Sequence, residues 1–120
     1  MLRRRQEGIL SMLFDKPMKE AMYRESRVAR VLGEPARYLI VALLLKRGPL
    51  QVSEIVKYMR RSQPTISHHL SVLRSLEIVR YETKPEGIYY WIKYTKELQL
   101  IVKSMQEFVR RTQKGLNDER

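Results

Sequence analysis

Apolar residues recur along this chain at helical spacing in four successive stretches, give way to two short β-like runs, and return at helical spacing near the end. Leu10, Leu13, Phe14, Met18 and Met22, then Val28, Val31 and Leu32, predict a first helix over roughly 9–31. A second is predicted over 35–46. Its core positions are Leu39, Ala42, Leu43 and Leu44, and Ile40 and Val41 widen the apolar surface, so this helix should be buried on several sides. Pro35 suits a first helical turn, where backbone N–H groups lack partners anyway, and Gly48-Pro49 ends the helix. Val52, Ile55, Val56 and Met59 predict a third helix over 51–59.

After a break at 60–62, Ile66, Leu70 and Leu73 repeat at i, i+4, i+7 and predict a fourth helix over 63–76, with Ser62 as its N-cap. The β-branched and aromatic runs 78–83 and 88–94 flank the turn segment Lys84-Pro85-Glu86-Gly87, which predicts a two-stranded hairpin over 78–94. In a last helix over 96–114, Leu98, Ile101, Met105, Phe108 and Thr112 alternate spacings of three and four, a heptad-like seam with Val102 and Val109 beside it. The order is α-α-α-α-β-β-α: a mainly α fold with a small β-hairpin (α+β), read as a single domain over 1–120. Residues 51–76 form a helix-turn-helix and 78–94 its wing, a winged helix-turn-helix.

The fourth helix is the most informative segment. Opposite its apolar stripe stand Gln63, Thr65, Ser67, His68, Ser71 and Arg74. These side chains hydrogen-bond base edges or phosphates, and none is acidic, as a helix lying in a DNA groove requires. Gln63, Thr65 and His68 project from the N-terminal turns and are the candidates for base edges; Ser67, Ser71 and Arg74 are placed for phosphates or bridging waters. Arg60 and Arg61 are candidate phosphate clamps, and Arg80 and Lys84 on the wing are placed to reach the backbone or the minor groove. Singly, wing cations are as readily plain solvated charges, and Trp91 reads as packing. Tyr89 and Tyr90 alternate sides of a strand, one for the core and one for the last helix.

Composition changes the picture in two respects. There are 24 Lys and Arg against 13 Asp and Glu, a net charge of +11, which attracts phosphate-rich partners. Charge alone fits an anionic membrane surface equally well; joined to the helix-turn-helix it points to nucleic acid. There is no cysteine among 120 residues, so neither disulfides, thiolate metal sites nor thiol switches are available. The apolar run at 9–14 is too short for a signal peptide and ends at Asp15-Lys16-Pro17, and no segment reaches membrane-spanning length, so a cytoplasmic protein with no membrane partner is expected.

The stretch 32–94 resembles the ArsR-type (ArsR/SmtB) family of winged helix-turn-helix transcriptional repressors. The resemblance rests on Leu32-Gly33-Glu34-Pro35-Ala36-Arg37, on Ser62-Gln63-Pro64-Thr65-Ile66-Ser67-His68-His69-Leu70 with Leu73-Arg74, and on Gly87-Ile88-Tyr89-Tyr90. It implies a homodimer that binds a double-stranded operator and leaves it when a signal arrives. It also implies that His68 faces DNA while His69 sits at the core edge. The amphipathic helices 9–31 and 96–114 are then the dimerisation helices, with Leu13, Phe14, Leu98, Ile101, Met105 and Phe108 as candidate interface residues. A two-fold dimer presents two recognition helices about 34 Å apart, and so an inverted-repeat target.

The chain departs from the metal-sensing members of that family. Where they carry Cys-x-Cys it has Leu50-Gln51-Val52-Ser53-Glu54, and its last helix offers Glu97, Gln99, Lys103, Gln106 and Glu107 with no histidine. His68 and His69 are adjacent, point about 100° apart on a helix, and do not chelate one ion together. No metal, no cofactor and no catalytic residue is expected; a small-molecule effector, a protein antagonist or no ligand at all stay open. Three functions follow: a sequence-specific repressor, an architectural protein binding DNA by charge alone, and a winged-helix interaction module with no DNA role.

Overall fold

The computed structural model describes residues 7–9 and 20–118, with side chains described as far as 113. Residues 1–34 and 35–120 form two separate compact units. In the first lies helix α1 (Glu20–Leu32), whose Arg24 pairs with Glu20 one turn earlier at 2.6 Å; Val31 and Leu32 are its buried residues. The predicted start of this helix, including Leu13 and Phe14, lies outside the described residues.

The second unit runs α2 (Pro35–Arg47), β1 (Leu50–Gln51), α3 (Val52–Met59), α4 (Gln63–Ser75), β2 (Val79–Lys84), β3 (Gly87–Ile92) and α5 (Thr95–Asp118). Its order matches the sequence pattern with one correction: the sheet has three strands, β1-β3-β2, not two. Leu50 and Gln51 pair with Tyr90 and Tyr89, so Gln51, expected to open the third helix, instead belongs to a strand, and α3 begins at Val52. A two-residue strand leaves no periodic signal, which is why the pattern missed it.

The core gathers one face from each element. Ile40, Val41 and Leu44 of α2 meet Ile55 of α3, Ile66, Leu70 and Leu73 of α4, and Ile78, Val79 and Ile92 around the sheet. The phase of α2 is a second correction. Leu39, expected in the core, is 54% exposed, and the buried positions are Ala36, Ile40, Val41 and Leu44. A helix apolar on all sides does not reveal which side faces inward. On α5, Leu98 and Val102 are buried where the helix packs on α2, whereas Ile101, Met105 and Phe108 remain exposed. The seam read from the sequence is therefore two adjacent stripes. Leu98, expected at a dimer interface, belongs to the core of its own chain.

Candidate nucleic-acid interface

Helix α4 is built to present one polar face. The Ser62 hydroxyl accepts the Thr65 backbone N–H at 3.3 Å, satisfying one of the unpartnered donors of the first turn, and Pro64 needs no such partner. Ile66, Leu70 and Leu73 are fully buried, which fixes the rotation of the helix. Gln63, Ser67, His68, Ser71 and Arg74 are consequently exposed together, with no acidic residue among them. Thr65 differs: it is half-buried and its Oγ1 lies 2.8 Å from Ser62 Oγ, within the cap. His69 turns half-inward, its ring centroid 5.7 Å from that of His68.

Both ends of α4 are fastened. At the entry, Arg60 ends α3 in the left-handed region (φ 55°), its N–H donating to Val56 O at 2.9 Å, and leaves Arg61 and its own side chain exposed beside the first turn. At the exit, the N–H groups of Glu77 and Ile78 donate to Arg74 O (2.9 Å) and Leu73 O (3.0 Å). That is the Schellman closure, with the buried pair Leu73 and Ile78 packed across it. The position that usually holds glycine carries Glu77 at φ 59°, and Lys93 Nζ donates to its Oε1 at 2.6 Å. This hydrogen bond from Lys93, with the charge behind it, holds the Glu77 carboxyl below its ordinary pKa and in return raises that of Lys93.

The wing has two faces set by its register. Val79, Tyr81 and Thr83 stand opposite Ile92, Tyr90 and Ile88 on one; Arg80, Glu82 and Lys84 stand opposite Trp91, Tyr89 and Gly87 on the other. Arg80 and Lys84 are exposed, but so are Glu82 and Glu86, so the wing is electrically balanced and the positive charge lies elsewhere. Lys84 Nζ sits 5.0 Å from the Tyr89 ring centroid. Tyr89, one of the two tyrosines from which a partner for the last helix was expected, has its hydroxyl bonded by Gln51 Nε2 (2.9 Å), which also reaches Glu86 O (3.3 Å). Gln51 thereby ties the hairpin turn to the start of α3. Gly87 suits this turn because its φ of 145° is a backbone conformation that residues with a Cβ rarely adopt.

The expected DNA-contacting arginines fall into two groups, one at each end of the polar face of α4. Arg60, Arg61 and Gln63 surround the N-terminal end of α4. Arg74 and Arg80 share a cleft of about 430 Å³ with Ser75, Glu77, Val79 and Tyr81 at the other end. A 13-residue helix, roughly 20 Å, separates them. Periodicity did not single out Gln51, Glu77 or Lys93, because their partners lie far away in sequence.

The sequence pattern of the bacterial regulatory proteins of the arsR family matches residues 34–81, the span from the start of α2 to the middle of β2. A helix-turn-helix-type transcriptional regulator of Methanocaldococcus jannaschii is 32% identical over 73 residues, 61% of this chain and 82% of that protein. The transcriptional repressor SdpR of Bacillus subtilis is 33% identical over 93 residues, 78% of this chain and 98% of SdpR. This chain belongs to the arsR family. Its fold is shared with the homodimeric winged helix-turn-helix DNA-binding domain of a possible ArsR-family regulator from Mycobacterium bovis (TM-score 0.68, 23% identity, 83% of this chain and 95% of that one). As an arsR-family member the chain is a DNA-binding regulator of transcription, not an enzyme. Among the described residues no helix is long and apolar enough to cross a membrane.

Proposed function

We propose that this chain is a homodimeric, sequence-specific repressor that binds an inverted-repeat operator and does not sense a metal. The observation that carries the reading is the common exposure of Gln63, Ser67, His68, Ser71 and Arg74 on a helix whose opposite face is fully buried. Gln and His side chains discriminate base edges, whereas a protein binding by charge alone needs only Lys and Arg. Arg60 and Arg61 at one end and Arg74, Arg80 and Lys84 toward the wing supply phosphate contacts, with Thr65 held at the cap.

Dimerisation draws support from the outer stripe of α5: Ile101, Met105 and Phe108 are exposed, Phe108 to 69%, more than an isolated domain needs to leave in water. The Mycobacterium bovis domain is described as homodimeric. A metal-independent effector is supported by the absence of thiolate and imidazole at the two positions named above. Beside the outer stripe, a groove of about 540 Å³ lined by Tyr38, Met105, Gln106, Val109, Arg110 and Gln113 is of small-molecule size.

Selection of bound duplexes from a random pool at near-physiological salt tests the reading. Enrichment of an inverted repeat with half-sites about one helical turn apart is expected. The net charge of +11 favours the alternative of an architectural DNA-coating protein, and tight binding without enrichment, vanishing as salt rises, would establish it instead.

A further inference from the structure

Tyr81, on strand β2 of the wing, has a partner on the recognition helix and another on the neighbouring strand. The guanidinium carbon of Arg74 stands over its ring, 5.0 Å from the centroid. The ring of its cross-strand neighbour Tyr90 is 5.6 Å away at an interplanar angle of 35°. Tyr81 is 43% exposed, so burial is not its main role. Arg74 has no ion-pair partner among the described residues, and the cleft it lines with Arg80 opens beside the ring. Burial raises the pKa of the Tyr90 hydroxyl while the charge of Arg74 acts in the opposite direction, so the guanidinium also acts on Tyr90.

A guanidinium that rests its face on an aromatic ring keeps its N–H donors at its edges, where a phosphate takes two at once. An arginine in the last turn of a helix would otherwise sample many rotamers and lose that freedom on binding; one already seated loses less. The same contact joins α4 to β2.

We propose that Tyr81 is a positioning residue for DNA binding: its ring holds Arg74 as a preformed phosphate clamp and joins the wing to the recognition helix. The inference rests on the reading of α4 as the DNA-facing helix. It is specific to the ring, and it places no DNA contact on the tyrosine hydroxyl.

The test uses the full chain and the duplex recovered by selection, with affinity measured across a salt series. Arg74→Ala and Tyr81→Ala should each weaken binding about tenfold and make the salt dependence shallower by about one phosphate. The double variant should bind no worse than either single one, because the ring acts only through the arginine. Tyr81→Phe should bind within about twofold of the native chain. Tyr81→Leu keeps apolar bulk on the strand without a π face and should behave as Tyr81→Ala does, which covers the case in which the alanine variant fails to fold. Additive losses in the double variant would overturn the inference, and so would a Tyr81→Phe variant as weak as Tyr81→Ala. Unchanged binding by Tyr81→Leu alongside a weakened Arg74→Ala would show that the arginine works without the ring. If Arg74→Ala binds normally while the native chain binds tightly, only the clamp fails. If the native chain binds no duplex, the DNA-facing assignment of α4 fails as well.

Discussion

Lys93 donates a 2.6 Å hydrogen bond to Glu77 across sixteen residues, joining the closure of the recognition helix to the segment that leads into α5. The pair lies where the chain leaves β3, next to the Lys93 N–H bond to Ile78 O (3.1 Å). The segment leading into α5 and the exit of α4 are thus joined by a side-chain and a backbone bond together.

The pair sets a pH dependence of known sign. The folded Glu77 carboxyl titrates below its ordinary value, so the unfolded chain binds protons more readily, and stability falls as pH drops through the carboxylate range, about pH 4 and below. Lys93 is raised, so its share is present below the ordinary lysine pKa and is lost as pH rises through the higher folded value. Between these limits the contribution should be flat. Glu77→Gln should show a shallower acid loss of melting temperature than the native chain; equal slopes would mean that the pair does not contribute in solution.

Arg60 separates stability from binding. Its φ of 55° costs a non-glycine residue roughly 1–2 kcal/mol, while glycine adds roughly 0.4–1 kcal/mol of unfolded-state entropy. Arg60→Gly should therefore stabilise the fold by about 1 kcal/mol. If Arg60 also clamps a phosphate, the same variant should bind DNA more weakly with a salt slope smaller by about one. Denaturant midpoints and a salt titration on one preparation check both; a stabilised protein with native affinity would remove Arg60 from the interface.

Ser67 and His68 are exposed and hold no part of the core, so Ser67→Ala with His68→Ala should leave the melting temperature and the dimer unchanged. Preference for the selected duplex over a scrambled one should fall by about 1–3 kcal/mol, the worth of the lost His68 base contact, while the loss of Ser67 weakens binding to both duplexes alike. Unaltered discrimination would falsify the assignment of base reading to this turn.

Legibility in the sequence followed the range of the forces involved. The stripe Ile66, Leu70 and Leu73 is a local pattern, and the exposed polar face of α4 followed from it directly. The hairpin was equally plain, from its β-branched runs and its turn. The uniformly apolar α2 hides its phase in the sequence, so nothing there marks Leu39 as its exposed side. Gln51 meets Tyr89 from 38 residues away, and nothing near either residue announces that contact. Glu77 in a left-handed cap runs against the glycine preference, and only its bond to Lys93 shows what the side chain does there.

The two stripes of α5 give the last prediction. Leu98 is 7% exposed and packed within its own chain; Phe108 is 69% exposed and apolar. Truncating Leu98 to alanine opens a cavity, and Leu98→Ala should lower stability by about 2–4 kcal/mol. Phe108→Asp removes no contact that the isolated chain relies on, so its monomer should stay folded, with an unchanged circular dichroism spectrum. Placed in a dimer interface, however, the carboxylate would be buried without a partner, and the dimer should dissociate. Operator affinity should then fall with it, because one subunit reads only one half-site. Sedimentation of Phe108→Asp as a dimer at native affinity would move the interface off the outer stripe of α5, while Leu98→Ala would still report the core.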